Sequence, residues 1–179
     1  FEAHDGATPK WLKATNLVIK KQLCGEYAVG LRGVQPSASG AGPSVGDSRY
    51  FFFVPYGERT LFGTFYFPID DPSVVESASA EEFAIMLDQA QQLCPEVVLN
   101  SDDASLVQVG AVPAEPAHGN QRLEMATRPS IRVGGHAFGV EGLIEVQGVK
   151  YTESLEVAKN VAETAAGFLK KPYRFMPYE

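Results

Sequence analysis

Cysteine is scarce, basic clusters are missing and no long apolar run occurs, and each shortage removes a class of function. Cys24 and Cys94 are the only cysteines in 179 residues. They lie far apart in sequence, with no CxxC spacing and no histidine at ligand spacing, so neither a disulfide framework nor a metal site is expected. Two free thiols in a reducing compartment are the plain reading. The net charge is −7, and no basic run is longer than Lys20-Lys21 or Lys170-Lys171. Little is left to hold a phosphate backbone, so no nucleic-acid partner is expected. No window approaches the ~18 consecutive apolar residues of a membrane span. The opening Phe1-Glu2-Ala3-His4-Asp5 also lacks the basic start and apolar stretch of a signal peptide. The expectation is a soluble cytoplasmic chain without a transmembrane segment.

What is present is a globular composition, with 45% apolar and 21% charged residues, enough for one ordinary domain with a core. The chain begins with Phe rather than Met and runs at once into loop-like Asp5-Gly6-Ala7-Thr8-Pro9. A fragment of a longer product is therefore expected.

Residues Asn16 to Leu23 are strand-like, and Tyr27 to Leu31, after Gly25, is a second short run expected to pair with them. The stretch from Val34 to Asp47 is rich in Gly, Ser, Ala and Pro and reads as a loop. Two aromatic and β-branched runs follow, Tyr50 to Val54 and Arg59 to Phe65, on either side of Pro55-Tyr56-Gly57-Glu58. That pattern predicts a β-hairpin. Ser79 and Glu82 form a capping box ahead of Phe83, Met86, Leu87, Ala90 and Leu93, and Pro95 follows, which predicts a helix over about Ala80 to Leu93. Ser105 to Val109 and Ile131 to Val133 read as short strands, and Ala114 to Asn120 as loop. Gly142 to Gln147 reads as a strand, and Leu155, Ala158, Val161, Ala162, Ala165 and Leu169 mark a helix ending before Pro172. No repeat is visible. The class is α+β, a mostly antiparallel β-sheet with two main helices.

Most motifs have a bland reading. Gly40-Ala-Gly42-Pro-Ser-Val-Gly46 has the wrong spacing for a dinucleotide fingerprint, with no strand before it and no helix after. His4, His118 and His136 sit in loop-like surroundings without triad partners. The pairs Asp70-Asp71, Glu81-Glu82 and Asp102-Asp103 are adjacent, so their side chains diverge, and they read as solvated turn and helix-start charges. The informative segment is Glu145 to Ser154, where a strand runs through Gly148 into a helix whose first turn carries Lys150, Thr152 and Ser154. Open backbone N–H groups beside an ammonium make a site for negative charge, and the plain alternative is a well-capped helix.

These residues, with others in the same order, resemble the FAD-dependent glycerol-3-phosphate dehydrogenases of the D-amino-acid-oxidase-like superfamily. The family's FVxPW/Y…xxxIGT hairpin stands here as Phe53-Val54-Pro55-Tyr56 and Thr60-Leu61-Phe62-Gly63-Thr64. Its Gly-Val-Arg-Pro strand reads Gly110-Ala111-Val112-Pro113, and its flavin turn reads Gly142-Leu143-Ile144 leading to Gly148-Val149-Lys150-Tyr151-Thr152. The resemblance spans roughly Asn16 to Leu169. Three positions depart from it: Val112 replaces the substrate-facing arginine, and Val149 and Glu153 replace the second Gly and second Thr of the flavin turn. A valine offers no donor to a phosphate, so the substrate is less secure than the reaction class.

The resemblance implies residues 1–141 as an antiparallel substrate-domain portion with one helix, 142–171 as a strand-turn-helix returning to the FAD domain, and 172–179 as a tail. It implies FAD in the intact protein, held on one edge by Gly148, Val149, Lys150, Tyr151 and Thr152, and not expected to stay bound to this chain alone. It implies Tyr56, Thr64 and Lys150 toward a small-molecule substrate, with Lys150 the catalytic candidate. The intact protein would be a flavoprotein dehydrogenase passing electrons to a quinone or another acceptor, either free in the cytoplasm or peripheral at the inner membrane face. The isolated chain is expected to be inactive. A stand-alone binding or regulatory domain that kept this fold and lost the chemistry is the alternative.

Overall fold

A computed structural model describes residues 10–34, 48–116, 123–134 and 140–174. Residues Trp11–Val112 form one compact unit, and the described residues from Pro113 onward belong to another. His4, His118, His136, the Gly40 to Gly46 run and the expected loop beyond Val34 lie outside the described residues.

The first unit is an antiparallel sheet with one helix. β1 (Lys10–Ile19), β2 (Val29–Val34), β3 (Ser48–Tyr56), β4 (Arg59–Ile69) and β5 (Ala104–Pro116) stand in the order β2-β3-β4-β1-β5. The expected hairpin is present as β3 and β4, with Tyr56 paired to Arg59 across Gly57-Glu58. Gly57 takes φ +62°, a conformation that side chains resist. Pro55 belongs to the strand and pairs with Thr60 rather than sitting in the turn.

One pairing differs from the sequence reading. β2 pairs with β3, Val29 opposite Phe53, and β1 pairs with β4. The buried Thr60 explains the path: its hydroxyl donates to Lys21 O at 2.9 Å and accepts from Leu23 N at 2.8 Å. Those bonds end β1 at Ile19 and hold the chain as it leaves, so Lys20 to Leu23 cannot continue the ladder.

Alternation along the strands builds the core. Phe51, Phe53, Phe62, Phe65 and Phe67 are buried together with Leu17 and Ile19. Phe53 and Phe62 stack at 4.4 Å, and Phe62 meets Phe65 edge-on at 5.4 Å. Each such ring contributes on the order of 1.5–3 kcal/mol by leaving water. The helix α1 (Ala80–Leu93) closes this face with Met86 and Ala90. Its capping box is formed as expected, Ser79 Oγ accepting from Glu82 N and the Glu82 carboxylate accepting from Ser79 N.

Glu82 is not the solvated charge expected from its neighbour. It is 9% exposed and pairs with Lys13 at 2.6 Å. Glu81 takes the outward position, because adjacent helical residues point about 100° apart.

Phe62 and Phe65 both face the core although they are three positions apart, an odd spacing that would put them on opposite faces of a regular strand. The β1–β4 ladder shifts between Thr15 and Asn16, so that Asn16 stands opposite Gly63 and Thr64 is the additional residue. This is a β-bulge, and it returns β4 to register with its aromatic side inward.

In the second unit, β6 (Leu123–Met125) pairs with the end of β5, Ala114 opposite Met125 and Pro116 opposite Leu123. The first three residues of the expected loop at Ala114 are therefore strand, held by that ladder and by Ala126 N donating to Pro113 O at 2.9 Å. β7 (Ser130–Val133) and β8 (Ile144–Gln147) form a two-stranded ribbon. A 3-10 turn over Tyr151–Glu153 then leads into α2 (Ser154–Phe168). The fold class is α+β with mostly antiparallel sheets, as the sequence implies.

Candidate functional site

The segment singled out in the sequence folds as a strand, an open turn and a helix. β8 ends at Gln147, and Gly148, Val149 and Lys150 cross to the 3-10 turn, with Lys150 at its N-cap position. No side chain caps that turn, and none caps α2, whose N-cap position is Glu153. The well-capped helix that was the plain reading is thus not what forms. Carbonyls of the preceding turn serve part of the helix start instead: Glu153 N donates to Lys150 O at 3.1 Å, and Ser154 N donates to Tyr151 O.

Gly148, Val149, Lys150, Tyr151 and Ser154 line a concave surface of about 620 Å³ together with apolar residues that include Val146, Val157 and Val161. The wall is mostly apolar, with Lys150, Tyr151 and Ser154 as its polar residues. A Cβ at Gly148 would meet nothing within 4 Å, so the space over the turn is open to a ligand's edge. Tyr151 is almost fully exposed, and Leu155, Phe168 and Leu169 are exposed too. No residue of α2 is buried.

Lys150 is not a free cation. Its Nζ lies 3.7 Å from Glu153 Oε1, with both side chains part exposed. Glu153 is one of the departures from the flavin-turn pattern, and it supplies a carboxylate where the pattern has a hydroxyl. Its other oxygen, Oε2, is buried without a hydrogen-bond partner among the described residues. An incoming anion competes with this pair, which weakens the site for negative charge.

The two substrate candidates of the first unit do not come together. Tyr56 is half-exposed at the hairpin turn opposite Arg59. Thr64 lies five residues beyond Arg59 along β4, roughly 16 Å at about 3.3 Å per residue. At the bulge, Thr64 Oγ1 donates to Asn16 Oδ1 at 2.8 Å. Lys150 belongs to the second unit. Val112, in place of the arginine that the resemblance expects, is half-buried on β5. The sequence marks Asn16 only as an amide within the strand-like run of β1, and its position opposite Gly63 and beside Thr64 comes from the ladder.

Elsewhere the chemistry is quiet. Cys24 is buried and Cys94 half-buried, both as free thiols. Burial pushes the Cys94 thiol up, with Cys24 and Glu96 adding to the shift, which makes it less nucleophilic. Among the described residues no three metal-ligating side chains gather, and no helix is long and apolar enough to cross a membrane.

No family model matches the chain, and no curated protein matches it. Among solved structures it is similar to the glycerol-3-phosphate dehydrogenase from Bacillus halodurans complexed with FAD, with a TM-score of 0.68 and 20% identity. The likeness covers 97% of this chain and 30% of that one, so the chain spans less than a third of the length of the protein that it matches. Its fold is that of the corresponding portion of an FAD-dependent oxidoreductase.

Proposed function

We propose that this chain is the substrate-facing portion of an FAD-dependent oxidoreductase similar to glycerol-3-phosphate dehydrogenase, oxidising a small alcohol or hydroxy substrate. The observation that carries the reading is the likeness over 97% of the chain. The second unit supports it, since α2 has no buried residue and its apolar side needs cover.

On this reading, residues 142–171 pack against a nucleotide-binding unit, and Gly148, Val149, Lys150, Tyr151 and Thr152 lie along one edge of the flavin. The residues fit a planar group with an acceptor edge, through a turn that no side chain caps, a glycine with free space above it and a flanking ammonium. Bound FAD supplies the acceptor for the substrate's hydride. The chain's own part is to hold the substrate, exclude water and set the charge at that edge. Lys150 favours negative charge there, and Glu153 tempers the effect.

Redox titration of the intact flavin-containing protein tests this. Lys150→Met is expected to lower the flavin midpoint potential by on the order of 30 mV, equivalent to about 1.4 kcal/mol for a two-electron couple. An unchanged potential removes Lys150 from the site. The Lys150–Glu153 pair and Val112 favour a second reading, a binding domain that keeps the fold without the chemistry. A full-length protein that carries no flavin would select it.

A further inference from the structure

We propose that Asn16 is a substrate-positioning residue, acting with Thr64 as a pair that recognises a hydroxyl group; the inference rests on the oxidation proposed above and adds a specificity element to it. Three features of the first unit lead to it.

The bulge aligns Asn16 with Gly63 and leaves Thr64 as the additional residue of β4. Bulges are a device for re-aiming side chains at sites. The amide is also seated against backbone. A Cβ on Gly63 would come within 2.3 Å of Asn16 Oδ1 and 3.1 Å of Thr15 O. Any other residue at position 63 would displace the amide, so the glycine permits this arrangement. The third feature is an unequal use of hydrogen-bonding capacity. Thr64 Oγ1 gives its proton to Asn16 Oδ1 at 2.8 Å and keeps its lone pairs. Asn16 Nδ2 donates to no group among the described residues. It is also not among the wholly buried polar atoms lacking a partner, so it keeps some access to solvent. Asn16 is half-buried, between the almost wholly buried Leu12 and Val18 on the same side of β1. Hydrogen bonds made there are worth more than on a bare surface.

The pair therefore presents two N–H donors beside a hydroxyl oxygen that can only accept. An alcohol O–H satisfies both at once, its oxygen accepting from Nδ2 and its proton going to Thr64 Oγ1. A phosphate or carboxylate oxygen has no proton to offer, so its lone pairs would face those of Thr64. The pair selects a neutral hydroxyl over an anionic oxygen. Neither side chain titrates near neutrality, so the pair orients the substrate and takes no proton.

The test uses the intact flavin-containing protein, with anaerobic flavin reduction by glycerol and by glycerol 3-phosphate as the readout. Asn16→Ala and Thr64→Val are each expected to raise KM about tenfold, the loss of one hydrogen bond, with kcat within about threefold. Thr64→Ser, which keeps the hydroxyl, should restore the wild-type KM. The KM ratio of Asn16→Ala to wild type should stay flat across about pH 6 to 8, because no titrating group is involved. A lowered melting temperature with unchanged KM would mean that the pair only braces the bulge, and overturns the inference while leaving the proposed function in place. If Asn16→Ala does not fold, Thr64→Val carries the same measurement, since it nearly keeps the shape of the side chain. A flavin-containing wild type reduced by neither compound overturns the proposed substrate class, and the inference falls with it.

Discussion

Glu82 joins three parts of the first unit through one carboxylate. Its Oε2 accepts from Ser79 N at 2.7 Å and from Lys13 Nζ at 2.6 Å, and Lys13 also donates to Ser77 O at 3.2 Å. Removing it opens the helix cap and leaves an ammonium with little access to water. Glu82→Ala is expected to lower the unfolding free energy by about 3 kcal/mol in urea titration, from a lost cap and a stranded charge. Adding Lys13→Met should recover part of that loss, because the double variant no longer buries an unpaired ion. A double variant less stable than Glu82→Ala would show that Lys13 acts through some other partner. At this scale the sequence is least legible. The capping box at Ser79 and Glu82 can be read from spacing alone, whereas the ion-pair partner of Glu82 lies far away in sequence, on β1. The amide of Asn16 and the carboxylate of Glu153 acquire their roles in the same way, from neighbours that only the fold supplies.

Elements are more legible, because their signals are periodic. The aromatic alternation of β3 and β4 and the apolar spacing of α1 each stand in one continuous stretch, and both elements form where they are expected. Pairing is not legible in the same way, since β2 joins β3 and β1 joins β4. Nothing within Val29–Val34 says that β3 rather than β1 is its neighbour; the Thr60 hydroxyl and the long exit from β1 decide it. That exit is pinned a second time. Lys20 N donates to Asp103 O at 2.7 Å, Lys21 Nζ reaches Val98 O at 2.8 Å, and Lys21 pairs with Asp103 at 2.9 Å. The hydrogen bond from Lys21, then that from the Asn100 backbone, holds the Asp103 carboxyl below its usual 3.8. A depressed carboxyl stabilises the fold above the unfolded value and loses that contribution as pH falls through the folded one. Below about pH 3.8 wild type should therefore lose stability more steeply than Asp103→Asn, which has no carboxyl to protonate. Parallel acid-unfolding curves for the two proteins would remove Asp103 from the account.

At the scale of the molecule, the two units differ in how much they bury. The first holds a phenylalanine core under α1, and in the second Val140, Leu143, Val146, Leu155, Phe168 and Leu169 all remain exposed. A two-stranded ribbon with one uncovered helix is marginal in water by itself. Hydrogen exchange on the isolated chain should find slow amides in β1, β3 and β4 and nearly unprotected ones in Ser154–Phe168. Protection of α2 equal to that of β1 would mean that the helix needs no cover from beyond the chain. Strand β2 has a different consequence. Among the described residues it closes the sheet order on one side, so one row of its amides and carbonyls has no ladder to join. Such a rim invites a strand from a second molecule. β2 is six residues long, carries glycine at positions 30 and 33, and places Arg32 between them. A run that short and that poor in side chains gives an incoming strand little to grip, and the guanidinium repels its own copy. Both features work against recruitment of a second copy at this rim.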